Sequence, residues 1–453
     1  MRPRTTTLLT ATTLTAAVLT PLTLPATATA APSAPAKYGD DFNGDGYRDF
    51  ATQESDGGNK GGAVRVTFGT AEGPGTRSQV IDQDSPGVPG TDERGDSWAE
   101  GPRVAADFNR DGYGDLAVGA DGEKVGRHRG QGAVTVLWGA PEGLKGGTAV
   151  PNKKPAAHNA FGQGLAAGDF NGDGRPDLAA VNGGAVYVYK GGISRAGVGS
   201  SVQRLAKRGL SPNDLIAGKV TKDATTDLVV VGQVVRDWQE TGDAWFVKGG
   251  RTLKPGATLR LGRYADSTDG VIADFDKNGY GDIAIGNYAA SGHKGAVSVW
   301  RGGRNGPGTA TRLTQGTPGV AGAPEKGDRF GSSVSAGDTN GDGYPDLAVG
   351  SRMEDVNGTR DAGGVHVLRG GGGGLKGTGS KWFARDSAGI PGTPTEGDQF
   401  GSTVRLRDTD RDGCADLYVH GESDPLRLPG SASGIKNTGV TRVAYGIVQG
   451  FLQ

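Results

Sequence analysis

The chain is 453 residues long, with 84 glycines, 23 prolines, one cysteine and a formal net charge of −1. That length exceeds what one small core organises, so several domains or one repeat-built domain is expected. The lone Cys414 excludes an internal disulfide, and the lack of a basic excess or a Lys/Arg run argues against nucleic acid as a partner.

Residues 1–30 read as a secretory leader. Arg2 and Arg4 supply a positive start, Leu8 to Leu24 a mildly apolar stretch, and Ala28-Thr29-Ala30 small residues suited to cleavage after Ala30. Pro21 and Pro25 and the many threonines argue against a membrane span, which needs about 20 apolar residues. Cleavage would remove Arg2 and Arg4 and leave the mature chain near −3. Secreted, extracellular localisation is the expectation.

Next comes Asp41-Phe42-Asn43-Gly44-Asp45-Gly46-Tyr47-Arg48-Asp49, a nine-residue loop. Oxygen side chains stand at positions 1, 3, 5 and 9, and a glycine at position 6. With the position 7 carbonyl, these oxygens suit one hard cation, and calcium is the expected ion. Here the candidate ligands are Asp41, Asn43, Asp45, Asp49 and the carbonyl of Tyr47. The pattern returns as Asp107, Asn109, Asp111, Tyr113 and Asp115, then as Asp169, Asn171, Asp173, Arg175 and Asp177. It continues with Asp274, Asp276, Asn278, Tyr280 and Asp282, and with Asp338, Asn340, Asp342, Tyr344 and Asp346. The last copy is Asp408, Asp410, Asp412, Cys414 and Asp416. Six complete loops predict up to six calcium ions. Position 7 varies among Tyr, Arg and Cys, as a position contributing only its carbonyl can; a thiol is in any case a soft ligand.

Between Asp169 and Asp274 lie 105 residues, against 62 to 70 between other successive loops. A degenerate copy fills the gap. Lys219 replaces the first aspartate, Thr221 the asparagine and Ala224 the glycine, while Asp223 and Asp227 remain. This copy is expected to be metal-free, with the Lys219 ammonium neutralising the two carboxylates.

The residues after each loop exclude an EF-hand, which needs a helix and a position 12 glutamate. Position 12 is Thr52, Val118, Ala180, Ile285, Val349 and Val419. The runs that come next, such as Asp282-Ile283-Ala284-Ile285-Gly286, are short, β-branched and stopped by glycine, hence strands. Another strand precedes each loop, often opened by an aromatic-glycine pair: Phe161-Gly162, Phe330-Gly331, Phe400-Gly401. A third alternates, as in Ala185-Val186-Tyr187-Val188-Tyr189, and a glycine-rich turn leads to a fourth. Seven such units predict an all-β fold, a seven-bladed β-propeller. The blades are placed at about 31–92, 93–157, 158–210, 211–262, 263–324, 325–394 and 395–453. The first strand of blade one is poorly marked, so how the ring closes is open.

The Phe-Gly pairs, the Trp138-Gly139-Ala140-Pro141 element and the six loops together resemble the FG-GAP repeat family, the calcium-loop propellers of integrin α N-terminal regions. The resemblance spans nearly all of the mature chain. It implies calcium in strand-connecting hairpins on one face, where it rigidifies blades without touching a ligand. Leader and composition are those expected of a secreted bacterial protein.

Arg94-Gly95-Asp96-Ser97 contains the tripeptide that integrins recognise, but Gly95-Asp96-Ser97-Trp98 aligns with Gly327-Asp328-Arg329-Phe330 and Gly397-Asp398-Gln399-Phe400. It reads as a repeated blade opening. Pro86-Gly87-Val88-Pro89-Gly90 and its counterparts at 318–322 and 388–392 read as structural spacers. No nucleophile elbow or zinc helix is present, and His128, His158, His293, His366 and His420 have no ligand spacing. No catalytic residue is assigned. The reading is a monomeric, calcium-stabilised binding or adhesion module for an extracellular protein or glycan. The alternatives are an extracellular hydrolase, a polysaccharide lyase or phospholipase D-related propeller, and a lectin.

Overall fold

The structure is a computed structural model that describes Met1 and residues 34–54, 61–199, 201–236, 239–263 and 269–452. The chain divides into two units, 1–33 and 34–453. The expected leader therefore lies outside the described residues, and the fold is that of the second unit.

That unit is a seven-bladed β-propeller, as the repeat count predicts. Blades two to seven are four-stranded antiparallel sheets. Blade two runs Trp98–Ala106, Asp115–Ala120, Ala133–Leu137, Gly147–Ala149. Blade six runs Phe330–Gly337, Asp346–Ser351, Gly364–Arg369, Lys376–Phe383. In these blades each candidate metal loop joins the first, axial strand to the second. The degenerate copy does the same between Ser211–Gly218 and Asp227–Arg236, so it forms a full blade without the loop's acidic pattern.

The second strands Asp115–Ala120, Asp282–Asn287 and Asp346–Ser351 are buried throughout, because the neighbouring blades cover both faces. Burial on both sides explains why these strands read as continuous apolar runs instead of alternating ones. The blades also close up tightly near the axis. A Cβ on Gly350 would lie 2.0 Å from the carbonyl oxygen of Gly401 in the next blade, so no larger residue fits there. The aromatic-glycine pairs sit at this seam. Phe161, Phe330 and Phe400 are fully buried, and their N–H groups donate to Gln131, Lys294 and Ala362, just ahead of the third strand of the preceding blade. Fully burying one such side chain is worth roughly 1.5–3 kcal/mol.

Blade one departs from the pattern. It has three strands, Phe50–Glu54, Ala63–Thr70 and Gly73–Asp82, and its metal loop precedes the first of them. The axial seat is taken by a short 3-10 turn, Ile447–Gly450, with Phe451 and Leu452. Gln449, Phe451 and Leu452 line the central channel together with the axial strands of the other six blades. Phe451 stacks edge-on against Phe50 at 4.9 Å and lies 4.7 Å from Tyr418 of blade seven. The ring is thus closed by residues from both ends of the unit, which settles the point that the sequence left open.

Candidate metal centre

The six complete loops share one backbone frame. The position 6 glycines all have positive φ, from 80° at Gly174 to 92° at Gly112, and position 4 is left-handed too: Gly44, Arg110, Gly172, Lys277, Gly341 and Arg411. In each loop the side chain at position 5 accepts the N–H of position 7, at 2.8 to 3.1 Å: Asp45 from Tyr47, Asp111 from Tyr113, Asp173 from Arg175, Asn278 from Tyr280, Asp342 from Tyr344, Asp412 from Cys414. The position 6 N–H donates to the position 1 carboxylate, as Gly46 does to Asp41 and Gly343 to Asp338. In four loops the position 3 asparagine also accepts the N–H of position 5, so the side chains at positions 1, 3 and 5 are all tied to the loop's own backbone.

The donor set fits a hard cation. One oxygen of Asp41 and one of Asp408 are buried without a hydrogen-bond partner, and burying such a group is costly unless something pairs with it. The carboxylates of Asp408, Asp410 and Asp412 each bring one oxygen within 4.8 Å of the others. Elsewhere the amides of Asn43, Asn109, Asn171 and Asn340 donate to the position 5 carboxylate at 2.7 to 2.9 Å. In the last loop Arg427 reaches both Asp410 and Asp416, so this loop carries a cationic side chain of its own.

Position 9 has a second task that ligand counting missed. Asp49 accepts the N–H groups of Phe42 and Gly69, and Asp115 those of Phe108 and Gly139. Asp282, Asp346 and Asp416 likewise hold the N–H that comes after the third strand. Each of these five is at most 1% exposed; Asp115, Asp282, Asp346 and Asp416 tie the loop to the third strand of their own blade, and Asp49 ties it to Ala63–Thr70 of blade one. Burial pushes Asp49 and Asp115 up to about 8, Asp177 to about 7 and Asp282 to about 6, with neighbouring acids adding to the shift. The degenerate blade explains itself on this basis. Asp227 keeps the same bonds, from Thr221 and Gly249, although the ligand pattern around it is gone. The cation beside Asp223 is Lys248 at 3.2 Å, which corrects the expectation for Lys219, an exposed residue.

Position 7 also does more than offer a carbonyl. Its side chain packs on position 4 of the preceding blade's loop. Tyr113 lies over Gly44, Tyr280 under Lys222, Tyr344 under Lys277, and Cys414 against Gly341. Tyr47 closes the circle beneath the guanidinium of Arg411 at 3.8 Å. Burial, then the surrounding acids, push the Cys414 thiol up, away from the thiolate. The Gly-Ala-Pro element belongs to the same face: Gly139 donates to Asp115, and Ala140 to the carbonyl of Phe42 one blade back.

The opposite face carries the loops between second and third strands and the long connections between blades. There the supposed spacers hold side chains that sequence reading passed over. Gln83 donates to Glu123 at 2.9 Å and Gln315 to Glu354 at 2.6 Å, while Arg385 at the same repeat position pairs with Asp398 at 2.8 Å, fully buried. Asp96 is 3% exposed and accepts the N–H of Glu93, so the Arg94-Gly95-Asp96 tripeptide turns its carboxylate inward, in keeping with a blade opening.

The FG-GAP repeat family matches residues 104–137, 161–189 and 330–368, which lie in blades two, three and six. Integrin alpha-PS5 of Drosophila melanogaster is 41% identical over 93 residues, 18% of this chain and 9% of that protein. Integrin alpha-5 of Xenopus laevis is 27% identical over 214 residues, 42% of this chain and 20% of that protein. The phosphatidylinositol-glycan-specific phospholipase D of Homo sapiens is 35% identical over 160 residues, 29% of this chain and 18% of that protein. The chain therefore spans a fifth or less of these relatives. Among solved structures, an Agrocybe aegerita lectin that recognises non-reducing terminal N-acetylglucosamine superposes with a TM-score of 0.50 at 14% identity, over 88% of this chain and 91% of that one. That likeness is one of fold.

Proposed function

We propose that this chain, an FG-GAP repeat propeller of the integrin α type, is a secreted binding module whose blades are set by calcium. The observation that supports it is the repeated frame of six loops, with buried and unpartnered oxygens on Asp41 and Asp408. Asp41, Asn43, Asp45, Asp49 and the Tyr47 carbonyl would hold the ion in blade one, and their counterparts would do so in the other five complete loops. A bound calcium supplies positive charge that offsets the crowded carboxylates and fixes the loop. The rest is done by the chain itself. Position 9 transmits the loop's geometry to the third strand, and position 7 transmits it to the preceding blade. The ion-binding edge is thereby a rigid hoop, and the opposite face is left to present its longer loops to an extracellular partner.

The test is thermal unfolding of the purified protein in calcium and in EDTA, with calorimetric titration of the calcium-free form. A binder of the folded state raises the melting temperature with concentration. An unchanged melting temperature together with no heat of binding overturns the reading.

A further inference from the structure

The face away from the metal loops contains a cavity of about 190 Å³ in blade six. Its wall includes Trp382, His366, Glu354, Asp355, Asn357 and Asp386. Trp382 and His366 are cross-strand partners, with ring centroids 4.5 Å apart, and Phe330 lies behind the histidine at 5.3 Å. Trp382 is half-buried. It lies so close to Gly364 that a Cβ there would meet the indole at 2.0 Å, and its remaining surface faces the cavity.

His366 is the anomaly. It has no exposed surface, yet neither ring nitrogen has a hydrogen-bond partner. Burial holds it neutral, with its pKa near 3, so the ring offers one donor and one acceptor. The repeat does not ask for this residue. The same cross-strand pair is Thr135 and Ala149 in blade two, Ser298 and Arg312 in blade five, and Leu426 and Arg442 in blade seven. The buried histidine holds the indole of Trp382 at the cavity wall, a pairing that blades two, five and seven do not share.

The wall chemistry narrows the ligand. No lysine or arginine lines the cavity, so an anion finds no counter-charge. Glu354 is held by Gln315 and Asp386 by Asn357, so these two carboxylates are engaged along the wall. What remains is an aromatic platform flanked by acceptors and one amide. Asn357 donates to Asp386 at 2.7 Å and has φ of 50°, which fixes the tip of the loop against the next connection. The volume is that of about six waters at some 30 Å³ each, room for one ring-sized polar molecule.

From this geometry we infer that the blade-six cavity is a carbohydrate subsite that takes one neutral pyranose ring. The C–H face of the sugar lies on the indole of Trp382, as aromatic rings favour. Its hydroxyls donate to Asp386 and Asp355, and the buried ring of His366 backs the indole from inside the blade. The inference rests on the reading of the chain as a binding module and gives that module a ligand class.

The test uses the full mature protein in saturating calcium. Methyl glycosides of glucose, galactose, mannose and N-acetylglucosamine serve as probes, with saturation-transfer NMR and tryptophan fluorescence as readouts. At least one should bind with a Kd on the order of millimolar, as expected for so small a contact. Trp382→Ala and the exposed Asp386→Ala should each weaken it about tenfold or more, and Glu123→Gln in the larger cavity of blade two should leave it unchanged. No transfer to any of the four glycosides, or transfer that survives both blade-six variants, overturns the inference. The calcium-dependent melting shift is measured on the same samples. A normal shift with no sugar signal removes the subsite alone, whereas a sugar signal with no shift removes the calcium reading alone.

Discussion

Arg407 donates to Asp40 at 2.5 Å across 367 residues of sequence, and its other terminal nitrogen donates to the carbonyl of Leu452. Asp40 is 2% exposed and also receives Arg48 at 2.7 Å. One guanidinium therefore joins the start of blade one, the axial strand of blade seven and the segment that completes blade one. Burial lowers Arg407 to about 10, with Asp40 opposing the shift, so it remains charged at neutral pH.

Removing this group should open the ring at its seam. Arg407→Ala leaves a buried carboxylate with one partner instead of two, and the cost is expected near 3 kcal/mol. Urea unfolding at pH 7 measures it. Asp40→Asn paired with Arg407→Ala in a double-mutant cycle should return a coupling above about 1 kcal/mol.

Phe451→Ala tests the same seam through packing. The ring contacts both Phe50 and Tyr418, and truncating a buried phenylalanine costs about 3–5 kcal/mol. The calcium stoichiometry should not change, since no loop is touched. A loss below about 1 kcal/mol would mean that the 447–452 segment does not hold the ring.

Asp227→Ala separates the two tasks of position 9. Thr221 and Gly249 would each lose the acceptor for a buried N–H, and each such loss costs about 1–3 kcal/mol. Because the blade lacks the ligand pattern, titration should still count the same number of ions. A drop in that count would show that the degenerate loop binds after all.

His366 predicts an acid limb. The imidazole has its ordinary pKa of about 6.5 in the unfolded chain and about 3 in the fold. Between these values the unfolded chain binds a proton that the fold does not. Its contribution is complete above pH 6.5 and falls as pH drops, by up to about 1.4 kcal/mol per pH unit. His366→Phe should remove that slope between pH 6.5 and pH 4 while leaving the carboxylate contributions in place. Equal slopes in both proteins would contradict the buried, neutral ring.

Tyr47→Ala probes the hoop between the metal loops. It removes the ring beneath Arg411, a contact worth roughly 0.5–1 kcal/mol at an exposed site. Because blade one leans on blade seven here, the calcium affinity of the last loop should fall along with stability. An effect confined to the first loop would show that the loops act singly.

Much of the molecule was readable from the chain alone. The loops declare themselves because their oxygens and glycines lie within nine residues, where backbone geometry links sequence to shape directly. The strand after each loop and the count of seven come from the same local spacing, and the lysine and missing glycine of blade four mark its loss of ligands. The double role of Asp227 was hidden, since its partner Gly249 lies 22 residues away. So were the Gln315–Glu354 clamp and the pairing of His366 with Trp382, which depend on which strands lie side by side. The closure of the ring by Arg407, Asp40 and Phe451 was the most remote of all. Local pattern determined the repeat and the oxygen-rich loops that it carries. Contacts between chain segments hundreds of residues apart leave no such pattern, so only the folded ring decided where it closes and which side chains line its cavities.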